Sequence, residues 1–308
     1  MKNIVGNLKN EMERSGYRFR IVSIKHLPEV QDAVARLVRQ GLVNRGLSEN
    51  WHFYLDTCDA LPEAASIIIV AMPQAITRIR FLWQGIDYPA ELSPGTRVDD
   101  FNIVELLKNA LEEAGYTVTK ARLALKTLAV RSGLAEYGKN NIVYVTGMGS
   151  FCRLVAFYTD FPCEEDSWGQ YRAMEICTDC FRCRNNCPTG SISADRFLIH
   201  AENCLGFLNQ KQPDFPYWSR LQPDWHNALV GCMRCQFICP ANEPYVENIT
   251  DGPSFSEQET GMILDKTPLD ALLPETRQKL DNIADAIYPL LSVNLIDLIE
   301  KQGNMRSL

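Results

Sequence analysis

The sequence predicts an α/β layer domain, then a cysteine-rich segment built to bind metal, then a helical tail. Three observations carry that prediction. Buried-strand signals alternate with amphipathic-helix signals through the first half of the chain, the pattern of a layered α/β fold. Eight of the 11 cysteines then fall between Cys177 and Cys239. Past Pro244, apolar residues return at helical spacing. The expected divisions are 1–165 for the α/β domain, 166–245 for the metal segment and 246–308 for a tail packed on the core.

The elements follow in order. Val30, Val34, Leu37 and Val38 recur at i, i+4, i+7 and i+8 behind Pro28, which suits a first helical turn, and Gly41 can close that helix. Ser66 to Met72 is a continuous apolar run, the mark of a strand buried on both faces. Pro89, Pro94 and Gly95 predict a loop. Ile103, Leu107, Ala110, Leu111 and Ala114 form the stripe of a second helix, with Gly115 just past its end. A short strand is expected over Tyr116 to Val118, a helix over about Arg122 to Val130, and a buried strand over Asn141 to Thr146. Gly147-Met148-Gly149-Ser150 reads as a turn, because the G-x-G-x-x-G pattern breaks at Arg153-Leu154. In the tail, Leu280, Ile283, Ala284 and Ile287 make one stripe, and Leu291, Leu295, Leu298 and Ile299 make another past Pro289.

Composition narrows the function. The 308 residues are 46% apolar, enough for a sizeable core, and the net charge is 31 − 38 = −7. An acidic balance argues against neutralising a nucleic-acid backbone, so no nucleic-acid partner is expected. No apolar run approaches the roughly 18 residues of a membrane span. No apolar stretch lies among Lys2, Lys9, Glu11, Glu13 and Arg14, so no signal peptide is visible and a cytoplasmic protein is expected. In a reducing cytoplasm, 11 cysteines point to metal rather than to disulfides.

The spacing says which metal. Cys177, Cys180, Cys183 and Cys187-Pro188 spell C-x2-C-x2-C-x3-C-P, the run of bacterial two-cluster ferredoxins, in which the proline-followed cysteine serves the other [4Fe–4S] cluster. A complementary set must then exist, and Cys232, Cys235 and Cys239-Pro240 repeat the ending, with Cys204 displaced upstream. The crossed assignment gives Cys177, Cys180, Cys183 and Cys239 to cluster one, and Cys187, Cys204, Cys232 and Cys235 to cluster two. Zinc prefers two separated cysteine pairs, and four thiols in eleven residues are too compact for that. Cys58, Cys152 and Cys163 read as small buried hydrophobes. His26, His52, His200 and His226 show no zinc spacing. Asp224-Trp225-His226 matches the D-x-H start of a corrinoid-ligating loop, but Leu229 stands where that loop needs glycine, and coincidence is the better reading.

The segment Arg131-Ser132-Gly133-Leu134-Ala135-Glu136-Tyr137-Gly138-Lys139-Asn140-Asn141, with Gly149-Ser150-Phe151 after the next strand, resembles the epoxyqueuosine reductase family and the related reductive dehalogenases. The similarity continues through Cys187-Pro188-Thr189-Gly190, through Gly231-Cys232 to Cys239-Pro240, and upstream through Leu61-Pro62-Glu63-Ala64-Ala65-Ser66. The resemblance implies a nitroreductase-like α/β domain that holds a base-off cobalamin, with the clusters delivering electrons to cobalt. It implies Arg131, Ser132, Gly133, Tyr137, Gly138, Lys139 and Asn140 as corrinoid contacts, and Tyr137 and Lys139 as candidates for proton delivery. A low-potential donor such as a ferredoxin or flavodoxin, and a small-molecule substrate or corrinoid protein, are the implied partners. The family's proton-donating aspartate, followed by proline, has no counterpart in the stretch Tyr116 to Arg122, and the helical-repeat tail that grips tRNA in many members is not expected here. The expectation is a cobalamin-binding iron–sulfur oxidoreductase acting on an unidentified substrate. The alternatives are a non-catalytic electron carrier, or an epoxyqueuosine reductase acting on tRNA.

Overall fold

The structure is a computed structural model, and the residues it describes are 2–44, 58–96, 100–210, 225–281 and 288–306. The elements begin with α1 (Lys2–Arg14), β1 (Arg18–Ser23), α2 (Leu27–Arg39), β2 (Ser66–Pro73), β3 (Ile76–Trp83), β4 (Ile86–Leu92) and α3 (Phe101–Glu112). They continue with β5 (Val118–Ala121), α4 (Leu125–Arg131), β6 (Glu136–Tyr137), β7 (Val143–Tyr144) and β8 (Cys152–Thr159). The cysteine region and tail add α5 (Arg182–Asn185), α6 (Leu205–Leu208), α7 (Arg234–Phe237), β9 (Ile249–Phe255), α8 (Glu257–Leu264), α9 (Pro274–Leu280) and α10 (Tyr288–Arg306). The chain divides into two compact units, Met1–Pro73 with Asp99–Cys180, and Gln74–Val98 with Phe181–Leu308.

Unit 1 is a three-layer α/β sandwich. Its sheet runs β1-β2-β8-β5, with every neighbour antiparallel. Alternation along β2 explains the unbroken apolar run. Ile67 and Ile69 face a cluster with Val30 of α2 and Leu128 to Val130 of α4. Ile68 and Val70 face the opposite cluster, with Leu8 and Met12 of α1 and Ile103, Leu107 and Leu111 of α3. All four side chains are fully buried, so no polar alternate position survives in the strand. Gly115, at φ +85°, ends α3 in the left-handed conformation that its position predicts.

Unit 2 holds the sheet β4-β3-β9, in which β3 pairs antiparallel with β4 and parallel with β9. Its core joins Phe81, Leu92, Phe255 and Ile263 to Leu291, Leu295 and Leu298 of α10.

Several expectations change. The compact units do not fall at 165 and 245, because the β3–β4 hairpin pairs with β9 and so joins the unit that carries the second cysteine run. Pro89, expected in a loop, lies in β4, opposite Arg80. That strand is a sheet edge, where a residue without an N–H is tolerated. The expected strand Asn141 to Thr146 shrinks to β7, a two-residue partner of β6. The strand that the sequence hides is β8, which pairs with both β2 and β5. It starts Cys-Arg-Leu and has no clean alternation because its later half is buried on both faces. Ile283, Ala284, Ile287, His52 and Asp224 lie outside the described residues.

Candidate iron-sulfur centre

The second cysteine set lies in unit 2 and is built from two loops pressed together. Gly231, immediately before Cys232, has φ +84°, and a Cβ there would run into the Ser93 hydroxyl. The amide of the buried Asn209 brackets this glycine, donating from Nδ2 to its carbonyl at 2.6 Å and accepting its N–H at 3.0 Å. Gly206, in the turn after Cys204, brings the other loop so close that a Cβ would stand 3.2 Å from the Cys232 nitrogen. Asn294 of α10 closes the arrangement by donating to the carbonyls of Asn209 at 2.8 Å and Leu229 at 2.9 Å. The side chain of Asn186 donates to the Arg234 carbonyl at 2.8 Å, tying the end of the first run to the helix that carries Cys235.

The thiols of this set sense one another. Burial pushes Cys204 up, and Cys232 and Cys187 add to that rise against backbone N–H groups of Phe207 and Gly206. Burial also raises Cys232, with Cys187 again adding and the Asn227 amide opposing. Cys187, Cys204 and Cys232 are thus brought into one neighbourhood, and Cys235 follows on α7. A bound cube reverses the local preference, because its iron demands thiolates. Among the described residues, no three His, Cys, Asp or Glu side chains converge as they would on one ion. A cube spreads its four thiolates over four separate irons.

In the first set, Cys177 and Cys180 belong to unit 1, and Cys183 and Cys239 to unit 2. Their grouping rests on motif spacing.

The chain leading into Cys177 docks on the segment that the resemblance singles out. Arg131, at the end of α4, pairs with Glu29 at 2.8 Å and lies over the rings of Trp168 and Tyr171, at 4.9 and 5.1 Å. Its carbonyl accepts the Gly169 N–H, and the Ser132 carbonyl accepts the Ser167 hydroxyl. The Tyr137 backbone bonds on both sides, its N–H to Arg172 and its carbonyl from Met174. Lys139 then donates Nζ to the carbonyls of Thr178 at 2.8 Å and Cys180 at 3.4 Å.

These bonds test the corrinoid expectation. The Ser132 hydroxyl is fully buried and donates to Ala129. Asn140 is buried, with its amide on the Tyr144 hydroxyl at 2.9 Å. Tyr137 is buried too, and burial pushes its phenol up to about 12, which suits a packing residue better than a proton donor at neutral pH. Gly133 is a helix C-cap at φ +73°, and Gly138 is glycine because a Cβ would press on the Tyr144 ring at 2.6 Å. The side chains of Arg131, Ser132, Lys139 and Asn140 are committed to protein partners, so they do not fit a corrinoid cradle, and no step is derived through one.

One functional candidate was invisible in the linear sequence. The stretch Tyr116 to Arg122 holds no carboxylate, but the structure brings Asp100 to it: Lys120 donates to its Oδ2 at 2.5 Å and Arg153 to its Oδ1 at 2.6 Å. The Arg153 hydrogen bond, ahead of the Lys120 one, holds this carboxyl down at about 2, so it stays an anion and is no proton donor. The Lys120 side chain in this pair is half-exposed. Cys58, Cys152 and Cys163 are half-buried rather than fully buried, and burial pushes the Cys152 thiol up to about 12.

Comparison with known proteins decides what the motif belongs to. A family described as a 4Fe-4S double cluster binding domain matches residues 176–242. The epoxyqueuosine reductase of Listeria monocytogenes is 30% identical over 158 residues, 51% of this chain and 39% of that protein. The one from Escherichia coli is 28% identical over 152 residues, 45% of this chain and 38% of that protein. This chain is a relative of the epoxyqueuosine reductases. The matched stretch spans only about two fifths of the length of those relatives. The solved epoxyqueuosine reductase of Streptococcus thermophilus shares the fold, with a TM-score of 0.63 at 19% identity, covering 97% of this chain and 82% of that one. An epoxyqueuosine reductase solved with an epoxyqueuosine-modified tRNA-Tyr stem loop gives 0.64 at 19% identity, with the same coverage. A whole-chain charge says nothing about a local face, so the net charge of −7 does not by itself exclude a nucleic-acid partner. No helix among the described residues is long and apolar enough to cross a membrane.

Proposed function

We propose that this chain is an iron–sulfur reductase of the epoxyqueuosine reductase type, whose substrate is a modified nucleoside in tRNA. The observation that carries the reading is the presence of two complete four-cysteine sets within a stretch similar to those reductases. Two cubes suit the chemistry. Each passes one electron, and converting an epoxide to an alkene takes two electrons and two protons, with release of water. The chain requires a strongly reducing donor, a role for a low-potential ferredoxin or flavodoxin. Cobalamin is implied by the resemblance alone, and the reading does not run through it.

Exposed apolar side chains in and just before the first run, Phe181 at 45% and Ile176 at 52%, favour a second reading as an electron carrier that docks a partner protein. One experiment separates the two. Anaerobic protein with a low-potential reductant is incubated with tRNA carrying epoxyqueuosine, and the nucleosides are analysed by mass spectrometry. Conversion to queuosine, with tRNA affinity that falls as salt rises, is expected. Two intact clusters with neither conversion nor tRNA binding would leave the carrier.

A further inference from the structure

The side chain of Asn227 lies beside a ligand of the second cluster and has no part in the reading above, although the inference drawn from it rests on that reading's clusters. We propose that Asn227 sets the reduction potential of cluster two by donating its amide N–H to the Cys232 sulfur. Its Nδ2 stands 3.2 Å from Sγ, and its Oδ1 accepts the Met233 backbone N–H at 3.0 Å. The amide orientation is therefore fixed: a flipped group would turn N–H towards N–H and oxygen towards sulfur. A third bond, Nδ2 to the Trp225 carbonyl at 3.3 Å, holds the same rotamer.

The loop that carries Asn227 is clamped from one face of α10. Lys301 donates to the His226 carbonyl at 2.5 Å, and Asn294 donates to that of Leu229. Asp297 approaches the fully buried His226 ring at 3.2 Å. These three lie at i, i+3 and i+7, so a single helix face fixes the loop. On its other side the Leu229 N–H bonds the Glu91 carbonyl at 2.6 Å. An N–H aimed at a ligating sulfur stabilises the extra negative charge of the reduced cube, and so raises its potential. Asn227 acts through Cys232, which makes it a positioning residue for the cluster's charge rather than a catalytic one.

Electron paramagnetic resonance, followed through a redox titration of the reconstituted protein, tests this. Asn227→Asp keeps the acceptor for Met233 and loses the donor. It should lower the reduced-to-oxidised ratio of cluster two at fixed ambient potential by about tenfold or more. Cluster one should not move, and the iron content should stay at about eight. Unchanged potentials at full iron would overturn the proposal. Should the variant lose iron, the unmodified protein still decides. With asparagine labelled in nitrogen-15, a hyperfine coupling to reduced cluster two is expected, and its absence refutes the inference. An unmodified protein that binds fewer than two cubes instead refutes the reading on which the inference rests.

Discussion

The two cysteine sets share a motif ending but are secured by different means. Around Cys204 and Cys232, three side-chain amides hold backbone in place: Asn209 and Asn294 are buried outright, and Asn227 is half-buried. Around Cys177 and Cys180, the bonds are backbone turns and one lysine, and the flanking Ile176 is exposed. Side-chain amides in a dry setting fix geometry and are costly to lose, whereas exposed turns move cheaply. The contrast suits a path in which one cluster meets partners and the other sits in a fixed electrostatic environment.

The hardest break is at Gly231. Gly231→Ala imposes a left-handed φ on a residue with a Cβ and drives that Cβ into Ser93. We expect cluster two to be lost and bound iron to fall to about half, with cluster one retained. Full iron in the variant would show that the Cys232 loop is less constrained than its geometry implies.

Crossing is the next test. Cys187→Ser should perturb cluster two although its sequence neighbours serve cluster one, and Cys239→Ser should perturb cluster one. Paramagnetic resonance of each variant reads this directly, and the uncrossed pattern would refute the ligand sets.

How much of this was legible in the sequence follows from range. The double-cluster segment was, because thiol spacing within a dozen residues is a local property, and so were α2, α3 and the buried strand β2. The central strand β8 was not, since burial on both faces removes the alternation that marks a strand. Asp100 was missed for another reason: its partners lie 20 and 53 residues away, and no motif joins them. The asparagines at 209, 227 and 294 fail in the same way, being ordinary polar residues until the fold buries or orients them. Within Arg131 to Asn140, Gly133 caps a helix, Gly138 packs on the Tyr144 ring, and Lys139 bonds the chain around Cys177, contacts that no local motif announces.

Asp100 gives a pH test of moderate size in unit 1. Its carboxyl is depressed from 3.8 to about 2, so the folded state holds the anion more tightly than the unfolded chain does. The sign follows: the contribution is complete above about pH 4 and is lost as pH falls through 2, worth about 2 kcal/mol. Asp100→Asn should cost that amount in denaturant unfolding at pH 7 and progressively less towards pH 2. A cost that does not vary with pH would mean that packing, not charge, holds this site.

The smallest expected effect is at Lys139, and it bears directly on the contrast between the two sets. Its ammonium donates to the Thr178 and Cys180 carbonyls from a half-buried position. Solvent screens such a charge, so Lys139→Ala should cost less than about 1 kcal/mol of stability. The electronic consequence is more specific than the energetic one. Removing a positive charge beside Cys180 disfavours the reduced cube, so cluster one should become harder to reduce while cluster two stays where it was. Lys139→Arg keeps the charge and should restore the potential even if it disturbs the hydrogen bonds. A shift in cluster two alone would reassign Cys180 to the other cube and undo the crossed pattern. A fall in stability with both potentials unmoved would make Lys139 a tether for the loop and nothing more.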